Sequence, residues 1–171
     1  MPLWDDLGSG IAADIANFKP RHTLDAISAY EHEFGRTKLI EKLAELLLIQ
    51  DAGPGQAHKA FCAMPFDIVC TTNFDFLLER QYALTPRFVW PVVDEEQLSI
   101  DGQGAGTLLL KLHGDLNHPK RLIATEDDYD SFLIRYPLLA TYLANQLITK
   151  TAVFVGDVTP VSHPAITRVL W

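Results

Sequence analysis

The sequence predicts an α/β protein built on a mostly parallel sheet with flanking helices, preceded by a helical N-terminal block. Two observations carry that expectation. From residue 67 onward, short runs rich in Val, Ile and Leu (67–71, 107–112 and 151–155) alternate with longer segments of helical periodicity. Strands of that composition, alternating with helices, are buried on both faces and pair in parallel. Before residue 65, apolar residues recur at helical spacing only.

Taken in order, Trp4 to Asn17 carries Leu7, Ile11 and Ile15 on one helical face, interrupted by Gly8 and Gly10. Thr23-Leu24-Asp25-Ala26 opens a second helix and supplies its N-cap. Lys38 to Gln50 predicts a third, stopped by Asp51-Ala52-Gly53-Pro54-Gly55, and Gln56 to Met64 a short fourth. Strand 67–71 leads into a helix from Asn73 to about Leu84, then a short extended piece, Arg87-Phe88-Val89-Trp90. Residues 94–106 read as an exposed loop, acidic and rich in glycine. Strand 107–112, a turn at 114–119 and a strand from Arg121 to Thr125 follow. Helices from Glu126 to Tyr136 and from Pro137 to Ile148 precede the last strand, 151–155, which Gly156 ends. His163 to Trp171 is expected to be helical. Residues 1–171 read as one domain, with a helical block at 1–64 and the sheet with its helices at 65–171.

A chain of 171 residues, 48% hydrophobic and 21% charged, has enough apolar material for a real core. Its net charge of −8 and pI near 5.1 argue against sequence-independent binding to nucleic acid and against docking on anionic membranes. Acidity leaves a phosphate-bearing ligand possible, because backbone amides and helix N-termini hold phosphate without Lys or Arg. Cys62 and Cys70 form no disulfide framework and no C-x-x-C pair, which suits a reducing, cytoplasmic setting. The N-terminus shows no basic segment followed by an apolar stretch, and no apolar run reaches the ~18 residues of a membrane span.

Two polar segments end apolar strands. Thr71-Thr72-Asn73-Phe74-Asp75 follows the first, and Lys111-Leu112-His113-Gly114-Asp115 closes the strand at 107–112. In open α/β sheets the carboxyl edge of the strands is where ligands bind. A purely structural reading makes Thr72 an N-cap and Asp75 its capping-box partner, but it does not explain Asn73. His113 ends an apolar strand and is therefore partly desolvated, suited to proton transfer or to polarising a hydroxyl, while Gly114 supplies a positive φ. His22, His32, His58, His118 and His163 show no metal-ligand spacing, so no metal is expected. Gly8-Ser9-Gly10 and Gly104-Ala105-Gly106 read as turns, since neither leaves a strand to open a helix. Thr125-Glu126-Asp127-Asp128 reads as a capping box, and Leu138, Leu139, Tyr142, Leu143 and Leu147 as core. Gly156-Asp157 is either a close-approach site for a ligand or a simple strand-ending turn.

In this order the pieces resemble the sirtuin-like domain of bacterial NAD-hydrolysing antiphage defence proteins. The resemblance runs across residues 1–171. It is carried by Thr71 to Asp75 with Leu77-Leu78-Glu79, by Leu110 to Asp115, by Ile123 to Tyr129 and by Val153 to Asp157. It implies a Rossmann-like sheet, NAD as ligand, Asn73 and His113 as the catalytic pair, and Asp75 at the nicotinamide carboxamide. Thr71, Thr72, Gly114, Asp115 and Gly156 would line the cofactor pocket. With only two cysteines the four-cysteine zinc module of sirtuin deacylases is absent, and acyl-lysine chemistry is not expected. The family's opening strand and Gly-Ala-Gly-x-Ser phosphate loop are expected before Met1, since Pro2-Leu3-Trp4 resembles the stretch that follows them. The implied activity is release of nicotinamide and ADP-ribose from NAD. A non-catalytic NAD or ADP-ribose-binding module of a larger protein, and ADP-ribosyl transfer at the same site, are the alternatives. Homo-oligomerisation is left open.

Overall fold

The computed structural model describes residues 4–47, 52–99 and 106–156. The expected helix at 163–171, Asp157, and the Gly104-Ala105 pair lie outside them. Among the described residues the order is α1 (Trp4–Ala12), α2 (Thr23–Phe34), α3 (Arg36–Leu46), α4 (Gln56–Cys62), β1 (Ile68–Thr71), α5 (Leu77–Tyr82) and β2 (Phe88–Val92). A 3-10 turn (Glu95–Ser99), β3 (Gly106–Lys111), a second 3-10 turn (Pro119–Arg121), α6 (Glu126–Arg135) and α7 (Pro137–Thr149) follow. The three strands form a parallel sheet in the order β1-β3-β2, the Rossmann-like α/β arrangement expected from the alternation.

Two apolar clusters hold the chain together. One joins α1, α2 and α3 through Leu7, Ile11, Ile27, Leu39 and Leu43, and takes in Phe74 and Leu122 from the sheet half. The other packs Leu110 and Leu112 against Tyr129 and Phe132 of α6 and Leu139 and Leu143 of α7. Leu138, expected in that stripe, is exposed instead. Its place in the first turn of α7 turns it away from the face that Leu139 and Leu143 share.

The Gly8-Ser9-Gly10 turn is corrected to helix. Both glycines lie inside α1, and a Cβ at Gly8 would come within 2.6 Å of the Thr23 hydroxyl oxygen and 2.8 Å of its Cα. Glycine therefore buys the close crossing of α1 on α2 at a cost in helix propensity. The cap of α2 is also reassigned, because the His22 ring accepts from the Asp25 amide at 3.1 Å. His58 likewise accepts from the Gly55 amide ahead of α4.

Two expected strands are not strands. Residues 122–125 run through the core with Leu122, Ile123 and Ala124 fully buried, yet they join no sheet. Side chains take over the backbone groups a neighbouring strand would have satisfied. Arg36 donates to the Leu122 carbonyl, and the Asp128 carboxylate accepts from the Ala124 and Thr125 amides at 3.0 and 3.2 Å. The remaining ladder bond runs from the Ile123 amide to the His113 carbonyl at 2.9 Å. Residues 151–155 are exposed and unpaired among the described residues. Their Val-Phe-Val sequence suits a strand, but no described strand adjoins them.

The capping box at Thr125 and Asp128 is present, and Asp128 does more than cap. It also pairs with Arg36 at 2.8 Å and Arg135 at 3.1 Å, which ties the helical block to α6. Burial pushes its carboxyl up, but the Ala124 amide, the Arg36 guanidinium and the Thr125 amide together outweigh that and hold it below its ordinary 3.8. A carboxylate with a lowered folded value contributes stability above its unfolded value, and that contribution is lost as pH falls through the folded one. Asp128→Asn is expected to cost about 3 kcal/mol at neutral pH. In urea titrations at several pH values, the deficit should shrink once pH drops below 3.8.

Candidate functional site

The chain leaving β1 does not enter a helix at once. The Thr71 hydroxyl accepts from the Asn73 amide at 3.1 Å, and an Asp75 carboxylate oxygen accepts from the Leu77 amide at 2.9 Å. These short side-chain bonds compete with helical ones, so α5 begins at Leu77 and not at Asn73. The expected capping box of Thr72 and Asp75 is thereby replaced by two successive side-chain turns. Phe74 points into the core of the helical block and Asp75 is buried, while Asn73 stays exposed.

β3 ends one residue earlier than expected, and the second segment turns sharply. Gly114 has φ +70°, and a Cβ there would lie 2.5 Å from the Arg121 carbonyl oxygen. Only glycine fits both the backbone angle and the space. His113 is buried, with its ring edge-on to Tyr129 at 5.0 Å between centroids and 6.3 Å from Phe74. The Tyr129 hydroxyl lies 3.3 Å from His113 Nδ1, and burial pushes that phenol up, so it stays protonated. Asp115 is buried and accepts from the Asn117 amide at 3.0 Å. The same carboxylate oxygen lies 2.8 Å from His118 Nδ1.

A groove of about 890 Å³ runs along β1, a volume within the range of small-molecule sites. Thr71, Thr72, Asn73, Asp75 and Gly156 line it, the last with φ +98°. His113, Gly114 and Asp115 do not. All three are buried, and Leu112 is the residue of their segment that reaches the groove. Cys70 is exposed on the groove, whereas Cys62 is buried. The mixed lining of hydroxyls, an amide, a carboxylate and apolar side chains suits a ligand with both polar and flat apolar parts. Among the described residues no cluster of His, Cys, Asp and Glu is arranged to hold a metal ion.

Sequence reasoning assigned no role to Lys111, whose ammonium lies between both segments. It donates to the Asp75 carbonyl and to Glu79, each at 2.6 Å. The signal was a lone lysine within Leu108-Leu109-Leu110-Lys111-Leu112. It also missed Tyr129, placed against His113 by α6.

Residues 67–157, more than half of the chain, match the SIR2-like domain. The chain belongs to the SIR2-like domain family. Its sequence is 29% identical over 122 residues to an NAD(+) hydrolase ThsA of Acinetobacter baumannii, covering 71% of this chain and 25% of that protein. An Enterococcus faecium NAD(+) hydrolase ThsA is 26% identical over 164 residues, covering 90% of the chain and 33% of the relative. A Bacillus subtilis protein named defense-associated sirtuin 2 is 28% identical over 102 residues, 58% of the chain and 10% of that protein. The SIR2-like chain thus spans a third or less of the length of these relatives. No helix among the described residues is long and apolar enough to cross a membrane.

Gly114→Ala puts a side chain at a positive φ and against a backbone carbonyl that cannot swing aside. A loss of at least about 2 kcal/mol in thermal or urea unfolding is expected. An unchanged midpoint would show that the turn is not built as described.

Proposed function

We propose that this SIR2-like chain binds NAD at the carboxyl end of β1 and cleaves it to nicotinamide and ADP-ribose, in the setting of bacterial antiphage defence. The observation that carries the reading is the parallel pairing of Thr71 with Lys111, which sends both polar segments out of the sheet at the same edge. The names of the relatives support NAD as the ligand and hydrolysis as the reaction.

The chemistry asks little of acids and bases. Nicotinamide leaves NAD as a neutral amine when the ribose–nitrogen bond breaks, so the leaving group needs no proton. Water adds to the ribose carbon, and one proton is released. The protein's task is to orient the ribose, hold the developing oxocarbenium ion and admit one water. In this reading the exposed Asn73 amide orients the ribose or the water, and His113, which lies buried behind Leu112 and off the described groove, accepts the proton of a ribose hydroxyl only where the ligand reaches past that wall. Asp75 has one carboxylate oxygen engaged by the Leu77 amide and turns the other to the nicotinamide carboxamide. Thr71, Thr72 and Gly156 contact the rest of the nucleotide, and Gly114 and Asp115 shape the buried turn that carries His113. No step needs a metal.

The pyrophosphate needs a cradle, and the glycine pair at Gly8 and Gly10 does not supply it, since both are committed to packing α1. That observation favours a second reading, a non-catalytic module that binds NAD or ADP-ribose. For catalysis, the reading seats a further parallel strand on the outer edge of β1, ending in a Gly-Ala-Gly-x-Ser loop. Residues 151–155, which line the same groove, support it.

Nicotinamide release from NAD by the purified protein tests the main reading. Asn73→Ala and His113→Ala should each lower the rate at least ~100-fold. Equal release by all three proteins would reject both assigned roles, and NAD binding without release would select the binding module. Supplying a strand and Gly-Ala-Gly-x-Ser loop ahead of the helical block should tighten NAD binding at least tenfold, about 1.4 kcal/mol. An unchanged dissociation constant in calorimetry would sink the strand and loop.

A further inference from the structure

We propose that Lys111 is a positioning residue, whose buried ammonium holds the turn carrying Asn73 and Asp75 in fixed register with the turn carrying His113 and Asp115. The proposal rests on the NAD-site reading above.

The side chain of Lys111 is fully buried. Its ammonium donates to the Asp75 carbonyl and to the Glu79 carboxylate, each at 2.6 Å, and lies 3.6 Å from the Asp115 carboxylate. The ring of Phe76 covers it at 4.4 Å from the centroid. The three oxygens belong to three separate pieces of chain: the turn after β1, helix α5 and the turn after β3. One cation therefore links every segment that carries a proposed site residue, apart from Gly156.

Stability alone is a poor reason for such a group. Burying an ammonium is costly, close carboxylates offset that cost only with good geometry, and an apolar side chain of similar size is often at least as stable. Leu108, Leu109 and Leu110 precede Lys111 in the strand and Leu112 follows it, so the site departs from the local pattern where both segments begin. What a leucine cannot do is fix distances. Asn73 lies two residues before Asp75 and His113 two residues after Lys111, so holding Asp75, Lys111 and Asp115 together sets the span between amide and imidazole. Asp115 extends the constraint by engaging the Asn117 amide and His118.

Lys111→Met keeps the length of the side chain and removes the charge, and Glu79→Gln keeps the shape of the partner and removes its charge. Each variant is measured for kcat and KM of nicotinamide release, thermal midpoint, and the NMR signals of the Asn73 side-chain amide and the His113 ring. The expected result is kcat lowered about 10- to 100-fold in Lys111→Met, with KM little changed. The Asn73 and His113 signals should move while those of α1 to α3 stay in place. Glu79→Gln should move the same signals less. If the wild type neither binds nor cleaves NAD, the function reading fails and the NMR shifts alone decide the positioning role. Unchanged kcat together with unchanged Asn73 and His113 signals overturns it. Should Lys111→Met not fold, Glu79→Gln carries both readouts, and unchanged values there overturn it equally.

Discussion

The parallel pairing of β1 with β3 is the constraint on which the site depends. Four register pairs, from Ile68 with Leu108 to Thr71 with Lys111, bring together two segments that lie forty residues apart. In a parallel pair both strands end at the same edge, so the segments after Thr71 and Lys111 must leave the sheet side by side. A slip of β3 by one residue would turn Leu109 and Lys111 to the face opposite Val69 and remove the buried ammonium from its carboxylates. The apolar residues that set the register therefore also set the geometry of the polar ones.

The helical block is joined to this sheet by a different kind of interaction. Its core reaches across to Phe74 and Leu122, but its polar attachment runs through side chains that meet backbone. Arg36 holds the Leu122 carbonyl and Asp128, and the Ser28 hydroxyl accepts from the Glu126 amide at 2.9 Å. The stretch 122–125 can thus lie buried without a strand beside it. Its main-chain bond to the turn after β3 runs from the Ile123 amide to the His113 carbonyl, so Arg36, by holding the Leu122 carbonyl, joins the helical block to the turn that carries the imidazole.

Most of the element order was legible, because long periodic segments and short apolar runs announce themselves. The capping box at Thr125 and the starts of α4, α6 and α7 followed from local chemistry alone. Most of the misreadings share one cause, which is a partner far away in sequence. Ile123 and Val153 have strand-like neighbours, yet a strand exists only where another offers a ladder. Gly8 and Gly10 resemble a turn until Thr23 is seen against Gly8. Asn73 is the local exception: it was expected in a helix, and the Thr71 hydroxyl and Asp75 carboxylate, each bonding an amide two residues on, delay the helix to Leu77. At the site, the residues on the groove were readable as polar groups at a strand end. Partial desolvation of His113 was expected from its place at the end of an apolar strand, but the full burial of His113, Gly114 and Asp115 was not, because it comes from Tyr129, Phe74 and Arg121, residues that neighbour them only after folding.

The contrast between an exposed Asn73 and a buried His113 is consistent with the work the proposed reaction asks of each. A carboxamide acts through fixed donor and acceptor positions and loses little by facing solvent. An imidazole acts through a single proton, so its ring must be held in one orientation, and Tyr129 and Phe74 enclose it on two sides. Phe74 serves both, since it is anchored in the helical core and directly follows Asn73. Fixing the Phe74 ring therefore limits the motion of the amide beside it and of the imidazole against it. Lys111 restrains the same pair through the main chain. An apolar anchor and a charged one thus constrain the same two groups, which is more restraint than stability requires and suits a site whose contribution is orientation.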